Sequence, residues 1–356
     1  MSSGLAHRGE SVGPGTDEGL AAELLRHLRS TYGPAVVESY PGSAASYSLP
    51  GEVGLFARRC TNPVLVARAA GVGPKLQLAQ MLGKHDGVGT DLVARCVNEL
   101  LVEGALPLFF LSHLAAGDIE MGRVLEVVRG IAEGCRQADC ALLASETSRL
   151  PGSHEPGRFE LTGFAVGMVE RARRLDGRAR TCPGDVVLGL ASTGLHASGF
   201  PLVRKLFFDA QRMRAEQAIP ELGGTLGEEL LRPSRIYVRS VRAALERYRV
   251  KGVVHALACI GDGGLLGDLP RVLGRRCVAR IERSAWPRPP IFGLVQGLGN
   301  LDDAEMFRVF NMGIGMVAVV APFYADAAAR RMAREGDRVS VIGEIVQGDG
   351  PAVELV

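Results

Sequence analysis

Asp91 and Asn98 are the first residues whose types and spacing suggest chemistry. Both lie in Asp86–Leu111, DGVGTDLVARCVNELLVEGALPLFFL. Val93, Cys96, Val97, Leu100, Leu101 and Gly104 recur at helical spacing, which predicts a helix with one buried face. Thr90 and Asp91 stand where a helix start wants a cap and negative charge, after a glycine turn. The cap is the simpler reading of Asp91; a functional acid on a rigid frame is the sharper one. Asn98 falls inside the helix, where a buried amide needs partners, so it reads as a packing bond or as a site residue.

Four other stretches carry reactive side chains. Gly71-Val72-Gly73-Pro74-Lys75 is a GxG turn followed by an amine, without the spacing or hydroxyl of a Walker A loop. It fits an ordinary loop or a phosphate contact. Ser145-Glu146-Thr147 closes an apolar run from Cys140, and α/β folds put functional carboxylates beyond core strands. Ser192-Thr193-Gly194-Leu195-His196-Ala197-Ser198 lies between a strand and a helix, a setting suited to a phosphate or sugar. His196 there fits a packing histidine as well as a site residue. Ile260–Gly267 is a glycine-rich turn carrying Asp262, and spacing alone reads it as a tight turn.

The elements that must position these groups follow from pattern. Helices are expected at 20–29, after Asp118 as a cap, and at 234–248 and 323–335. Strands are expected at 62–67, 105–111, 140–144, 159–169, 185–191, 253–258, 313–321 and 338–345. The first half reads β-α-β-α-β-β. A basic polar stretch from Arg171 to Arg180 marks a boundary between a domain of 20–170 and one of 171–356, after a polar tail of 1–19. The segment Gly51–Phe56 (GEVGLF) fits a glycine loop or a turn.

A chain of 356 residues, 47% apolar and 22% charged with a net charge of +2, has the composition of a soluble globular protein of two domains. That balance points to no nucleic acid and no membrane surface. No run reaches the length of a membrane span, and the first residues lack a signal-peptide pattern, so a cytoplasmic protein is expected. The seven cysteines form no CxxC pair, which argues against zinc and against a disulfide framework. Lys75, Lys84, Lys205 and Lys251 are the lysines in a chain whose cations are otherwise arginine. This reads as codon bias or as sites that need a compact ammonium.

Several blocks in order, above all VGTDLVARCVNELLVEGALPLFF, resemble the family of aminoimidazole ribonucleotide synthetase, or phosphoribosylformylglycinamidine cyclo-ligase. The resemblance runs from about Asn62 to the end of the chain. It implies a two-domain fold, α+β then α/β, whose N-terminal sheet pairs with that of a second copy in a homodimeric barrel. It implies ATP and magnesium, and closure of an imidazole ring on a ribonucleotide substrate in purine biosynthesis. Carried over by position, Asp91 and Glu146 would be metal-site acids, Lys75 would contact phosphate, and Asn98 would order the site. Gly71, Gly73, Thr147, Ser192, Thr193, Ser198 and Asp262 would line the nucleotide or substrate pocket, with His196 among the catalytic groups.

The chain departs from that pattern at its phosphate and metal groups. The family's TDGVGTKL is Ala69–Leu76 here, so Ala70 replaces an aspartate and Pro74 removes a hydroxyl and a backbone donor. The GGET motif becomes Ala144-Ser145-Glu146-Thr147, and HxTGGG becomes Cys259–Gly264, with Asp262 in the turn. Two readings follow: a working ATP-dependent cyclo-ligase with a rearranged site, or an impaired relative that serves as a nucleotide-binding scaffold or regulatory subunit.

Overall fold

The computed structural model describes residues 18–37, 46–49, 62–150, 152 and 154–356. Most of the expected tail, and Gly51–Phe56, lie outside them. The described chain divides into two compact units. One runs to Ala172 without Leu101–Gly104; the other comprises Leu101–Gly104 and Arg173–Val356.

The first unit contains α1 (Glu18–Arg29), β1 (Val36–Val37), β2 (Ser46–Tyr47), β3 (Pro63–Gly71), α2 (Lys75–Leu82) and α3 (Asp86–Val102). Then come β4 (Leu106–Ala116), α4 (Met121–Gln137), β5 (Ala141–Arg149) and β6 (Phe159–Glu170). Its main sheet has the order β3-β6-β4-β5. β6 is antiparallel to β3 and β4, while β4 and β5 are parallel, joined by the α4 crossover. α3 lies on one face, where a Cβ at Gly163 would come 2.9 Å from Leu92 Cγ and one at Gly167 3.0 Å from Leu100 Cδ1. The opposite face carries Leu65 and Phe164, 56% and 42% exposed.

Two expectations need correcting here. Gly87 and Gly89 do not form a turn: α3 starts at Asp86, and Asp91 is inside it. Gly89, with Gly130 of α4, permits a close helix crossing instead. A Cβ at Gly89 would sit 2.4 Å from Val127 O, and one at Gly130 1.8 Å from Asp86 O. The N-cap of α4 is Glu120, with Asp118 outside the helix.

The second unit contains α5 (Gly177–Arg180), β7 (Val186–Ala191), α6 (Phe200–Arg204), β8 (Ala218–Ile219), β9 (Gly224–Thr225), α7 (Leu226–Leu230) and α8 (Val238–Arg247). After them come β10 (Val254–Cys259), α9 (Gly264–Asp268), β11 (Cys277–Ile281), α10 (Pro290–Gly299), α11 (Asp303–Val309), β12 (Ile314–Val320), α12 (Ala325–Ala333), β13 (Val339–Gln347) and β14 (Ala352–Leu355). Its six-stranded sheet has the order β10-β12-β7-β13-β11-β14, antiparallel except for the β11–β14 pair. β12 is buried along its whole length, which matches its unbroken apolar run. Among the described residues, no helix is long and apolar enough to cross a membrane.

Candidate functional site

β3 ends at Gly71, and the chain turns through Gly73 (φ +82°) into α2. Lys75 is the first residue of α2, and its side chain runs inward. Its Nζ lies 2.7 Å from Asp91 Oδ2, and both side chains are 0% exposed. Removing two charges from water is costly, so this pair persists only because each ion compensates the other. Asn98 lies seven residues beyond Asp91, two turns along the same face of α3, and is 4% exposed. Arg95 stands between them on that face. A Cβ at Gly73 would be 3.6 Å from its guanidinium, so Arg95 reaches the turn that precedes Lys75. The resemblance did not single out Arg95; its i+4 spacing from Asp91 was the available signal.

Glu146 is placed elsewhere. The strand β5 continues past it to Arg149, so Glu146 lies within the strand rather than beyond it. It pairs with His113, on the face of β4 that α3 leaves open, and is exposed. Ser145 and Thr147 face the other way and are buried, with Ser112 donating to Ser145 Oγ at 2.8 Å. β5 is three strands from β3, roughly 14 Å at ordinary strand spacing. Asp91 and Glu146 of one chain therefore do not converge on one ion. A magnesium site built from both acids does not fit the donors present.

The serine-rich loop of the second unit is internally tied. His196, at φ +59°, accepts two backbone N–H groups on Nε2, from Thr193 at 3.1 Å and Arg235 at 3.3 Å. A ring nitrogen so engaged holds the loop in shape. Ser192 Oγ donates toward Gly194 O at 2.8 Å and lies 3.0 Å from Asn311 Oδ1. Thr193 Oγ1 donates to Pro233 O at 2.6 Å. Asn311, fully buried, donates to Gly194 O and Leu195 O. Ser198 is buried beside this loop. Tyr237 closes its floor: the hydroxyl donates to Ala191 O at 2.9 Å, and burial pushes its pKa well up, so it stays a neutral donor.

Asp262 is exposed at the tip of its turn. The turn's own backbone donors, Gly261 N and Gly263 N, point to Asp268 Oδ2 at 2.7 and 3.3 Å. Asp268 thus occupies the anion position of the glycine turn, and its other oxygen lies 3.2 Å from Arg271. Sequence reading missed Asp268, although the spacing of a turn and a carboxylate one helical step later was visible.

Comparisons with known proteins agree with this architecture. The AIR synthase related protein N-terminal domain matches residues 57–169, and the AIR synthase related protein C-terminal domain matches residues 182–356. A phosphoribosylformylglycinamidine cyclo-ligase of Thermoanaerobacter pseudethanolicus is 41% identical over 346 residues, 97% of this chain and 99% of that protein. One from Sorangium cellulosum is 43% identical over 353 residues, 99% of both. Among solved structures, hydrogenase maturation protein HypE superposes with a TM-score of 0.64 at 18% identity, covering 94% of this chain and 93% of that one. Thiamine-monophosphate kinase from Stenotrophomonas maltophilia gives 0.63 at 18% identity, covering 94% and 95%. Those two share the fold; the near-full-length identities above 40% carry the family, and this chain belongs to the AIR synthase family of phosphoribosylformylglycinamidine cyclo-ligases.

Proposed function

We propose that the protein is an ATP-dependent cyclo-ligase acting on formylglycinamidine ribonucleotide. The observation that carries this reading is the identity of 41–43% over 97–99% of the chain to two curated cyclo-ligases. In the reaction, the formyl oxygen attacks the γ-phosphorus of ATP and ADP leaves. The amidine nitrogen then attacks the activated carbon, phosphate departs, and aminoimidazole ribonucleotide forms. Asp91, Lys75, Asn98, Gly71 and Gly73 constitute the proposed nucleotide side of the site, with Arg95 supplying positive charge at the turn. A fixed guanidinium suits planar recognition of phosphate oxygens. A magnesium ion accompanying the triphosphate would offset its charge, and such an ion is commonly held by few carboxylates plus substrate phosphates rather than by a pair of protein acids.

The working assembly is a homodimer. The open face of the β3-β6-β4-β5 sheet presents Leu65 and Phe164 beside Phe109, Leu111 and Val166, an apolar surface of the kind a second copy covers. Glu146 then belongs to the proposed substrate side at that interface, while Thr147, on the covered face, does not reach it. Ser192, Thr193, His196, Ser198 and Asp262 are the proposed substrate-side residues of the second unit.

One set of observations favours a second reading, a nucleotide-binding relative with impaired turnover. Lys75 is committed to Asp91, Ala70 stands where the family pattern has an acid, and Glu146 faces away. The deciding experiment supplies Mg-ATP and formylglycinamidine ribonucleotide, then measures aminoimidazole ribonucleotide and phosphate. Stoichiometric formation of both products establishes the ligase. ATP binding by calorimetry without either product establishes the second reading.

A further inference from the structure

We propose that Cys182, Asp185 and His255 form a site for a zinc-class divalent metal, apart from the candidate nucleotide site. One donor atom from each of the three residues lies within 4.8 Å of the other two. Cys182 Sγ is 3.6 Å from Asp185 Oδ1, and His255 Nδ1 is 2.8 Å from Asp185 Oδ2.

Three local features build this cluster. Cys182-Pro183-Gly184-Asp185 is a tight turn, with Gly184 at φ +97° and Asp185 N donating to Cys182 O at 3.1 Å. Proline followed by a glycine of positive φ is the sequence such a turn requires. The turn brings the thiol over the carboxylate, and Cys182 N donates to Asp185 Oδ2 at 3.0 Å, fixing the carboxylate's orientation. The third feature is His255 on the edge strand β10. Val254 faces Val320 and Ala256 faces Val319, so His255 is the extra residue of a bulge. A bulge re-aims a side chain that regular alternation would point elsewhere.

The charge balance points to a cation. Asp185 is 1% exposed, and its hydrogen-bond partners are the thiol, the Cys182 amide and the imidazole, with no lysine or arginine among them. A buried carboxylate so placed gains from a positive charge. Thiolate, imidazole and carboxylate together are ligands of zinc, leaving a fourth position for water. Tetrahedral coordination needs donor separations of roughly 3.3–3.8 Å, which small side-chain rotations supply. On binding, the Cys182 Sγ proton leaves to solvent, and neutral His255 carries its proton on Nε2 while Nδ1 bonds the metal. The ligands sit at positions 182, 185 and 255, a spacing without a CxxC pair, so the sequence carries no zinc signature for them.

The test uses the full chain without a polyhistidine tag. Zn²⁺ affinity is measured by calorimetry, and Co²⁺ uptake by absorption. One Co²⁺ per chain with a thiolate-to-cobalt charge-transfer band is expected, and the band disappears in Cys182→Ser. Zn²⁺ affinity falls at least ~10-fold in Cys182→Ser and in His255→Gln. Crystals soaked in Zn²⁺ show an anomalous peak between the three side chains. No metal uptake, a Co²⁺ complex lacking the band, variant affinities within about twofold of the parent, or an anomalous peak elsewhere overturns the proposal. The crystal readout needs no variant, so it decides the matter even if a substitution impairs folding.

Discussion

Replacing Lys75 with methionine tests whether the buried ion pair is as dry in solution as its geometry implies. Lys75 Nζ and Asp91 Oδ2 are 2.7 Å apart and neither side chain is exposed. Lys75→Met keeps most of the side-chain volume and leaves the Asp91 carboxylate buried without its ammonium. Breaking a buried pair from one side costs about 3–5 kcal/mol. For a folding unit of this size each kcal/mol moves the melting temperature by roughly 2–4 °C, so a drop of about 6–20 °C is expected. Asp91→Asn strands the ammonium and has a cost in the same range. The double variant Lys75→Met/Asp91→Asn removes both charges and recovers a large part of the loss. The assay is a denaturant double-mutant cycle at constant ionic strength, with a coupling energy of at least ~2 kcal/mol expected. ATP turnover measured well below each melting point separates folding from chemistry, and the folded Asp91→Asn protein is expected to have none. Single losses below about 1 kcal/mol, or strictly additive ones, would refute the reasoning, because they would mean that water reaches the pair.

The remaining predictions address other parts of the chain. His85 is 1% exposed, neither ring nitrogen has a hydrogen-bond partner, and burial holds its pKa below 6.5. The folded state therefore prefers neutral imidazole: stability is full above pH 6.5 and falls as the unfolded chain takes up its proton below that. His85→Phe flattens this acid limb, by at most ~1.4 kcal/mol per pH unit, measured by urea unfolding between pH 7 and 5. Phe164→Glu places a charge on the open sheet face and converts a dimer into a monomer by light scattering; a variant that stays dimeric removes that face from the interface. Gly130→Ala drives a Cβ to 1.8 Å from Asp86 O and costs about 1–3 kcal/mol or more, whereas Gly122→Ala in the same helix meets nothing within 4 Å and is neutral or stabilising. Ala70→Asp restores a carboxylate on the α3 side of β3 and lowers the Mg²⁺ concentration for half-maximal ATP turnover roughly tenfold; an unchanged requirement excludes an acid at this position from metal binding.

The sheet-and-helix order of the first unit's main sheet was legible, and so were β7, β10, β12 and β13 of the second, because long periodic runs such as Val124–Cys135 and Ile314–Val320 state their own type. The short strands β11 and β14 gave no such run and were not expected. The side of the sheet that Glu146 takes was not. Simple alternation from buried Leu142 puts Glu146 on the covered face. The β4–β5 register slips between Leu142 and Ala144, and one extra residue turns every later side chain over. Glycine misled twice for a similar reason. Gly87 and Gly89 read as a turn, yet Gly89 serves contact between two helices. Gly293, Gly297 and Gly299 hide α10, whose helical state is imposed by burial of Ile291, Phe292 and Val295 rather than by propensity. His196 was readable as a candidate, but the folded loop engages its Nε2 with two amides, a tie that no local sequence pattern signals.

The departures from the family pattern have a common physical character. Pro74 and Asp262 are exposed and Ala70 is half-buried, so their side chains displace no core. Ser145 is buried, yet its added hydroxyl meets Ser112 Oγ at 2.8 Å and is satisfied. The glycines of the matching blocks sit under different constraints: at Gly89 and Gly130 at the helix crossing, at Gly163, where a Cβ would fall 2.3 Å from Phe110 Cζ, and at Gly167, where it would fall 2.7 Å from Leu106 O, there is no room for a side chain. Changes at the first set alter charge and donor supply at little cost in stability, while changes at the second set break the packing of α3 on α4 or on its sheet. The scaffold can thus stay within the family while its phosphate-handling groups are exchanged. In this chain the retained Asp91 and Lys75 balance one another in the covered layer, and Arg95 lies beside the turn that precedes Lys75, so the departures leave the buried charges of α2 and α3 compensated.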